Sequence, residues 1–273
     1  MVQIHSPLLS FFHQIYKFSF FSVDSLKETS SERFWEIDTL RGIAIILMVS
    51  YHLLFDLTYF GIYSTDLSAL PVLLFLYPIG TLFLLLVGIS LTISYSRVQK
   101  NFSKQQVQLK FLKRGAGVFG FGSIITLVTW FYPHNGFIIF GVLHCIGLSI
   151  LLAYPFLRFR SLPFMLGVLC IIFGIYLRVN VVVDFPWLLW LGLTPAQFYT
   201  LDYFPLLPWF GVVLLGVFLG NRLYQNNKRM FPLQDYSSFG IIRGICYLGR
   251  HSLIVYLLHQ LILIGVLYLL FLY

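Results

Sequence analysis

The sequence feature that most constrains this chain is the segment 36–60, which is apolar and yet carries polar side chains at helical spacing. About 20 residues rising ~1.5 Å each cross the ~30 Å hydrocarbon core of a bilayer, so the segment is long enough to span a membrane as a helix. Polar groups inside a span are costly and usually face a partner or a water-filled cavity. At ~100° per residue they all fall in one narrow stripe. The stripe consists of Asp38, Arg41, His52, Asp56 and Tyr59.

Composition places the whole chain in the membrane class. Of its 273 residues, 59% are hydrophobic and only 10% are charged, which excludes an ordinary soluble domain. The net charge of +8 does not indicate nucleic-acid binding, because the basic residues lie between apolar segments, where they act as topology signals. Cys145, Cys170 and Cys246 show no redox or metal-binding spacing, and we interpret them as packing residues.

Apolar segments recur along the chain and predict an all-α fold, a polytopic membrane bundle of about seven transmembrane helices. The segment 186–192 is apolar but too short to cross, so we predict a re-entrant or interfacial helix there. Residues 239–250 predict an amphipathic helix. The seven predicted spans are approximately 37–60, 69–95, 115–132, 137–157, 162–178, 202–221 and 251–271.

The chain divides into an N-terminal extension, residues 1–32, and a membrane domain, residues 33–273. The extension lacks the apolar core of a signal peptide, and we expect it to lie on the membrane surface or to have no fixed structure. With a cytoplasmic N-terminus, the basic cluster 97–114 and nearly all other Lys and Arg residues fall inside, leaving only Arg178 outside. We therefore predict a multi-pass cell-membrane protein with a cytoplasmic N-terminus and an external C-terminus.

The first span also carries a family resemblance. Arg41 and His52, with ten residues between them, stand in the string Asp-Thr-Leu-Arg-Gly-Ile-Ala and its continuation, which resembles the first span of the transmembrane acyltransferases. The flanking residues are similar to the short bacterial relatives of heparan-α-glucosaminide N-acetyltransferase. Matching strings that begin at Phe140, Asp202 and Leu248 extend the resemblance over most of 33–265.

This resemblance implies an acyltransferase that moves acetyl from cytoplasmic acetyl-CoA to an amine or hydroxyl of a sugar beyond the membrane. Acetyl-CoA is then a donor substrate, and no permanently bound cofactor is expected. The implied partners are the lipid bilayer, acetyl-CoA and a glycan acceptor, with no nucleic acid, and a homodimer is left open. The histidine that the lysosomal enzyme is thought to use after its first span has no counterpart in the loop 61–68, where Tyr63 stands.

We assign the chemistry to His52, because a buried histidine can take a proton from an attacking hydroxyl or amine, or accept the acetyl group itself. Asp56 follows one helical turn later and is expected to orient the imidazole. Arg41 is expected to bind CoA, or else to form a weak surface ion pair with Asp38. The plain structural alternatives are a core histidine bonded between helices and an acid solvated at a helix end.

Further polar residues complete the predicted site. Lys113 and Arg114 end the basic cluster and can attract CoA phosphates or anionic lipid, although the cluster also determines topology. His144, His259 and Asp202 are the other polar residues of the predicted spans, and helix rise places both histidines at the depth of His52. No ligand spacing supports a metal site, and none is predicted. Because only His52 has an acid at i+4, we expect its replacement to reduce activity most.

Two other functions stay open at this level. A transporter or proton-coupled permease would use the three histidines and Asp56 as a proton relay, and a membrane scaffold would perform no chemistry. Prolines early in the second and sixth spans weakly resemble the paired broken helices of transporters. The acyltransferase is preferred because the Arg–His string has no purpose in a scaffold. The prolines are Pro71, Pro78, Pro205 and Pro208.

Overall fold

The structure is a computed structural model that describes residues 33–272 of the chain. The predicted N-terminal extension, 1–32, lies outside these residues. Within them, six helices are long and apolar enough to cross a membrane, and the β structure is limited to one two-stranded hairpin. This confirms the predicted all-α, polytopic membrane bundle. The remaining predicted span, the fourth at 137–157, contains a shorter apolar helix.

The two longest connections between helices precede the sixth and the seventh. A 3-10 turn, Tyr154–Phe156, follows the fourth helix, and a π-helical turn, Tyr268–Leu272, follows the last. The hairpin pairs β1 (Tyr224–Gln225) with β2 (Lys228–Arg229) in antiparallel fashion. The helices are α1 (Trp35–Tyr59), α2 (Leu70–Val98), α3 (Lys104–Phe131), α4 (Val142–Ala153), α5 (Leu162–Asn180), α6 (Leu206–Leu223), α7 (Gly240–Arg250) and α8 (Ser252–Leu267).

Helix α3 begins 11 residues before its predicted start at 115. Ser103 accepts a hydrogen bond from the backbone N–H of Gln106, and the Gln106 side chain accepts one from the N–H of Ser103. This capping box satisfies backbone donors at the helix start, so the helix begins inside the basic cluster. Lys113 and Arg114 are therefore helical residues, and the cluster 97–114 is not a single loop.

The predicted helix at 186–192 is wrong, because the segment forms consecutive turns. Gly192 has a φ of +121°, which takes the backbone out of the helical path after a short apolar run. The carbonyls of Trp190 and Leu191 instead accept hydrogen bonds from the backbone at the start of α6. The apolar run thus packs as an irregular connection within the second of the two units described next.

By its internal contacts the chain divides into two compact units. The first combines the chain up to Gly80 with the C-terminal residues from Gln234, and the second comprises Thr81–Leu233. In the first unit, α7 and α8 both pack against α1. In the second, α3 packs against α4, α5 packs against α6, and α4 also contacts α6.

Helices α1 and α7 approach closely because each presents a glycine to the other. A Cβ on Gly42 would collide with the carbonyl oxygen of Ile245, and a Cβ on Gly249 would collide with the carbonyl oxygen of Asp38. Small residues are what allows helix backbones to approach in a membrane. This close approach brings Arg250, the last residue of α7, to the first turn of α1.

Replacing Gly249 by Ala is expected to separate α7 from α1 and to lower the midpoint of thermal unfolding of the detergent-purified protein. Overpacking of this kind typically costs about 1–3 kcal/mol. Gly244→Ala on the same helix is the matched control, since no described atom lies within 4 Å of the added Cβ. It should leave the midpoint unchanged or slightly raised. Equal midpoints for the two variants would contradict the close approach.

Candidate functional site

The polar stripe of α1 faces the two C-terminal helices of the first unit. Asp38 and Asp56 are only 7% and 2% exposed, whereas Tyr59, at the end of the stripe, is largely exposed. The packing of α7 and α8 encloses charged groups that would be costly against lipid. The stripe is therefore a protein-facing surface, as its spacing predicted.

The N-terminal end of α1 carries an ion network that includes Asp38, Arg41 and Arg250. Nη1 of Arg41 donates to Oδ1 of Asp38 at 3.1 Å, and Nε of Arg250 donates to Oδ2 of Asp38 at 3.1 Å. Nη1 of Arg41 also lies 3.4 Å from the carbonyl oxygen of Gly249. The two guanidinium groups thus bind the same carboxylate. The Arg250 side chain is 44% exposed, so its guanidinium lies at the surface of the unit.

The predicted surface ion pair between Arg41 and Asp38 is thus present but is not at an exposed surface. Helix α7 covers it through the contact between Gly249 and the backbone of Asp38. Enclosure lowers the local dielectric, so removing one partner leaves a poorly solvated charge. The pair therefore holds the start of α1 against the end of α7 more firmly than an exposed pair would.

Arg250 is a residue of this site that the sequence interpretation treated only as a topology signal. It lies 212 positions from Asp38, so no local spacing connects the two. The sequence feature that indicates a functional role for Arg250 is the family resemblance, which continues through the string Leu-Gly-Arg-His at the end of the predicted amphipathic helix.

Two of the predicted histidines meet further along the stripe. The rings of His52 on α1 and His259 on α8 lie with centroids 4.7 Å apart and planes at 62°. His259 is 7% exposed. A contact of this kind places the edge of one imidazole near the face of the other. The structure therefore assembles a histidine pair from residues more than 200 positions apart.

His144, the third predicted histidine, belongs to α4 in the second unit. Its ring packs against Phe119 and Phe140, and its Nε2 lies 3.5 Å from the hydroxyl of Thr126. These contacts describe a core histidine held between helices. Asp202 belongs to the same unit, where its Oδ2 accepts a hydrogen bond from the backbone N–H of Val142 and so caps the start of α4.

Asp56 does not orient His52 as predicted. Among the described residues no hydrogen bond joins the two side chains, and Oδ1 of Asp56 instead accepts a hydrogen bond of 2.6 Å from Nε2 of Gln260 on α8. The short aspartate side chain turns toward the neighbouring helix, where an amide donor is available. The expectation that replacing His52 reduces activity more than replacing His259 rested on a hydrogen bond with this carboxylate. The structure shows no such hydrogen bond between these two described residues, so it gives no support to that ranking.

Three buried polar atoms of this cluster have no hydrogen-bond partner in the described part of the chain. They are Oδ2 of Asp56, Oε1 of Gln260 and Nε2 of His259. An unsatisfied buried polar atom costs about 1–3 kcal/mol, so such atoms call for an explanation where several occur together. We name these residues, with His52, the histidine cluster.

The remaining residues predicted to contact acetyl-CoA, Lys113 and Arg114, lie on α3. Lys113 is exposed and Arg114 is half-buried, both in the second unit. Within residues 33–272, no three His, Cys, Asp or Glu side chains are grouped as metal ligands. The polar side chains that the first unit brings together along the stripe are imidazole, carboxylate, amide and guanidinium groups.

Comparison with known proteins adds one match. The family model described as "Heparan-alpha-glucosaminide N-acetyltransferase, catalytic" matches residues 33–261. The matched range contains the ion network and the whole histidine cluster. No curated protein matches the chain, and no solved structure matches it.

Proposed function

We propose that this chain, which belongs to the heparan-alpha-glucosaminide N-acetyltransferase catalytic family, moves an acetyl group from acetyl-CoA to an amine or hydroxyl of an envelope sugar. Family membership and the six long apolar helices make it a multi-pass membrane acyltransferase. The donor, the acceptor and the orientation belong to the proposal. The observation that supports it best is one enclosed stripe on α1 with a cationic network at one end and a histidine pair further along.

The ion network is the proposed contact for the CoA phosphates. It holds two guanidinium groups beside one another, and the part-exposed Arg250 side chain can be reached by an anion. The planar guanidinium can make paired hydrogen bonds to phosphate, which an ammonium cannot. Asp38 acts by holding both arginines in place. Lys113 and Arg114, which belong to the second unit, are proposed separately to attract CoA phosphates or anionic lipid.

The histidine pair is the proposed place of acetyl transfer. His52 follows Arg41 by eleven positions on the helix, which corresponds to ~16 Å of rise. The extended pantetheine arm of CoA likewise separates its phosphates from its thioester. An imidazole beside the thioester can take the proton of an attacking amine or hydroxyl, or carry the acetyl group. We propose that the imidazole of His52 contacts the acetyl group.

The proposed orientation has a cytoplasmic N-terminus, the 97–103 connection inside and the C-terminus outside, because most basic residues then lie in the cytoplasm. This requires seven crossings, so the short helical segment Val142–Phe156 must complete one of them. We expect alkaline phosphatase fused after Tyr273 to be active in a bacterial host and a fluorescent-protein fusion there to be dark. Fusions after Lys100 should behave in the opposite way. Fluorescence of the fusion after Tyr273 would instead place the C-terminus in the cytoplasm and contradict the proposed orientation of the last helix.

Replacing Arg41 by Lys keeps the charge but removes the paired donors, and we expect it to weaken acetyl-CoA binding roughly tenfold, equivalent to ~1.4 kcal/mol. Isothermal titration with the purified protein in detergent measures this directly. Arg160→Lys is the matched control, because Arg160 is exposed and outside the network, and its affinity should equal that of the wild type. Unchanged affinity in the Arg41 variant would remove Arg41 from the donor site.

Replacing His52 by Ala should reduce acetyl transfer by ~10²–10⁴-fold, the size of loss typical when a catalytic imidazole is removed, while membrane insertion and acetyl-CoA binding persist. The assay follows labelled acetyl from acetyl-CoA to glucosamine in membranes, normalised to expression. His144→Ala removes a buried histidine from the second unit and should retain most activity. Near-wild-type transfer by the His52 variant, or a deeper loss in the His144 variant, would move the chemistry away from α1.

A further inference from the structure

We propose that Nε2 of His259 is the base that removes the proton from the attacking acceptor. This rests on the proposed function and deepens it, because it assigns the two histidines of the pair to different tasks. The argument starts from the hydrogen bonds of His259 and then considers what the unsatisfied atoms around it have in common.

The hydrogen bonding of His259 fixes which ring nitrogen carries the proton. Nδ1 lies 2.6 Å from the carbonyl oxygen of Tyr256. A carbonyl oxygen only accepts, so Nδ1 must donate and therefore carries the hydrogen. In this buried setting a charged ring is costly, so the imidazole is neutral and has a single N–H. Nε2 therefore presents a lone pair, and it is buried with no partner in the described residues.

The other two unsatisfied atoms of the cluster are acceptors as well. Nε2 of Gln260 donates to Oδ1 of Asp56, which leaves Oε1 of Gln260 and Oδ2 of Asp56 without a donor. All three atoms therefore require a molecule that brings N–H or O–H groups. The reacting thioester and the ionised phosphates of acetyl-CoA bring no such donor. The attacking amine or hydroxyl of a sugar does, and we therefore assign the cluster to the acceptor substrate.

The transfer step follows from this arrangement. The acceptor's lone pair forms a bond to the carbonyl carbon of the acetyl thioester, while its N–H or O–H proton passes to Nε2 of His259. The carbon–sulfur bond breaks, and sulfur leaves with the electron pair as a thiolate. The thiolate then takes the proton from Nε2, which gives the CoA thiol and restores neutral His259. His52, whose ring lies against His259, contacts the acetyl group.

Asp56 and Gln260 act as positioning residues in this scheme. The hydrogen bond between them fixes the direction in which each presents its unsatisfied oxygen. Gln260→Met should therefore raise KM for the acceptor more than it lowers kcat, because the base is retained while one contact to the acceptor is lost. A purely structural role for Gln260 would change stability without such a separation.

The decisive variant is His259→Asn in the full chain. The amide nitrogen of Asn occupies the position of Nδ1 and can still donate to the Tyr256 carbonyl, but Asn has no base at the position of Nε2. We expect normal insertion, unchanged acetyl-CoA affinity and a ~10²–10⁴-fold fall in kcat for release of CoA thiol with glucosamine as probe. Leu261→Ala, on the exposed side of α8, is the control and should match the wild type.

A second measurement does not depend on activity. In ¹⁵N-histidine spectra of the detergent-solubilised wild type, the signals lost in His259→Asn should show a protonated Nδ1 and an unprotonated Nε2. A protonated Nε2 would overturn the inference. Full activity of His259→Asn would also overturn the inference, but it would leave the proposed function standing. A wild type that releases no CoA thiol with glucosamine would contradict the proposed function itself. In that case the spectra would still decide the protonation state of His259.

Discussion

The arrangement depends on one constraint: a polar group on a membrane helix must be enclosed by protein or water, because lipid cannot solvate it. Helix α1 carries two carboxylates, an arginine and a histidine on one face, and α7 and α8 pack on that face. The glycines at the α1–α7 contact allow the approach that makes enclosure complete. The site is therefore a consequence of how the two ends of the described chain pack together.

Enclosure gives the two ends of the stripe different chemistry. Near the first turn of α1, two arginines bind one acid, and their guanidinium groups suit an anionic ligand. Near His52, the unsatisfied atoms of the histidine cluster are hydrogen-bond acceptors, which suit a substrate that brings donors. An anionic thioester donor and a hydroxyl or amine acceptor are the two substrates that acetyl transfer requires. This division supports the proposed function more strongly than any single residue does.

The sequence predicted what periodicity and local motifs can carry. The stripe on α1, the amphipathic helix at 239–250 and most spans followed from spacing and hydropathy. The partners Arg250 and Gln260 lie 212 and 204 positions from the acids they bind, so no local pattern connects them. Without them, Asp38 was assigned to the surface and Asp56 to His52. Long-range packing decides both cases.

Local errors had local causes. Helix α3 starts earlier than predicted because the capping box at Ser103 stabilises its first turn within the basic cluster. The segment 186–192 forms turns although its composition is apolar, because Gly192 has a positive φ.

The central claim, that α1 and its two C-terminal partners form the transfer site, is tested most directly by a structure of the full chain with CoA bound. The account predicts phosphates against Arg41 and Arg250 and the sulfur beside His52 and His259. Phosphates bound away from both arginines, with the sulfur remote from both histidines, would contradict it.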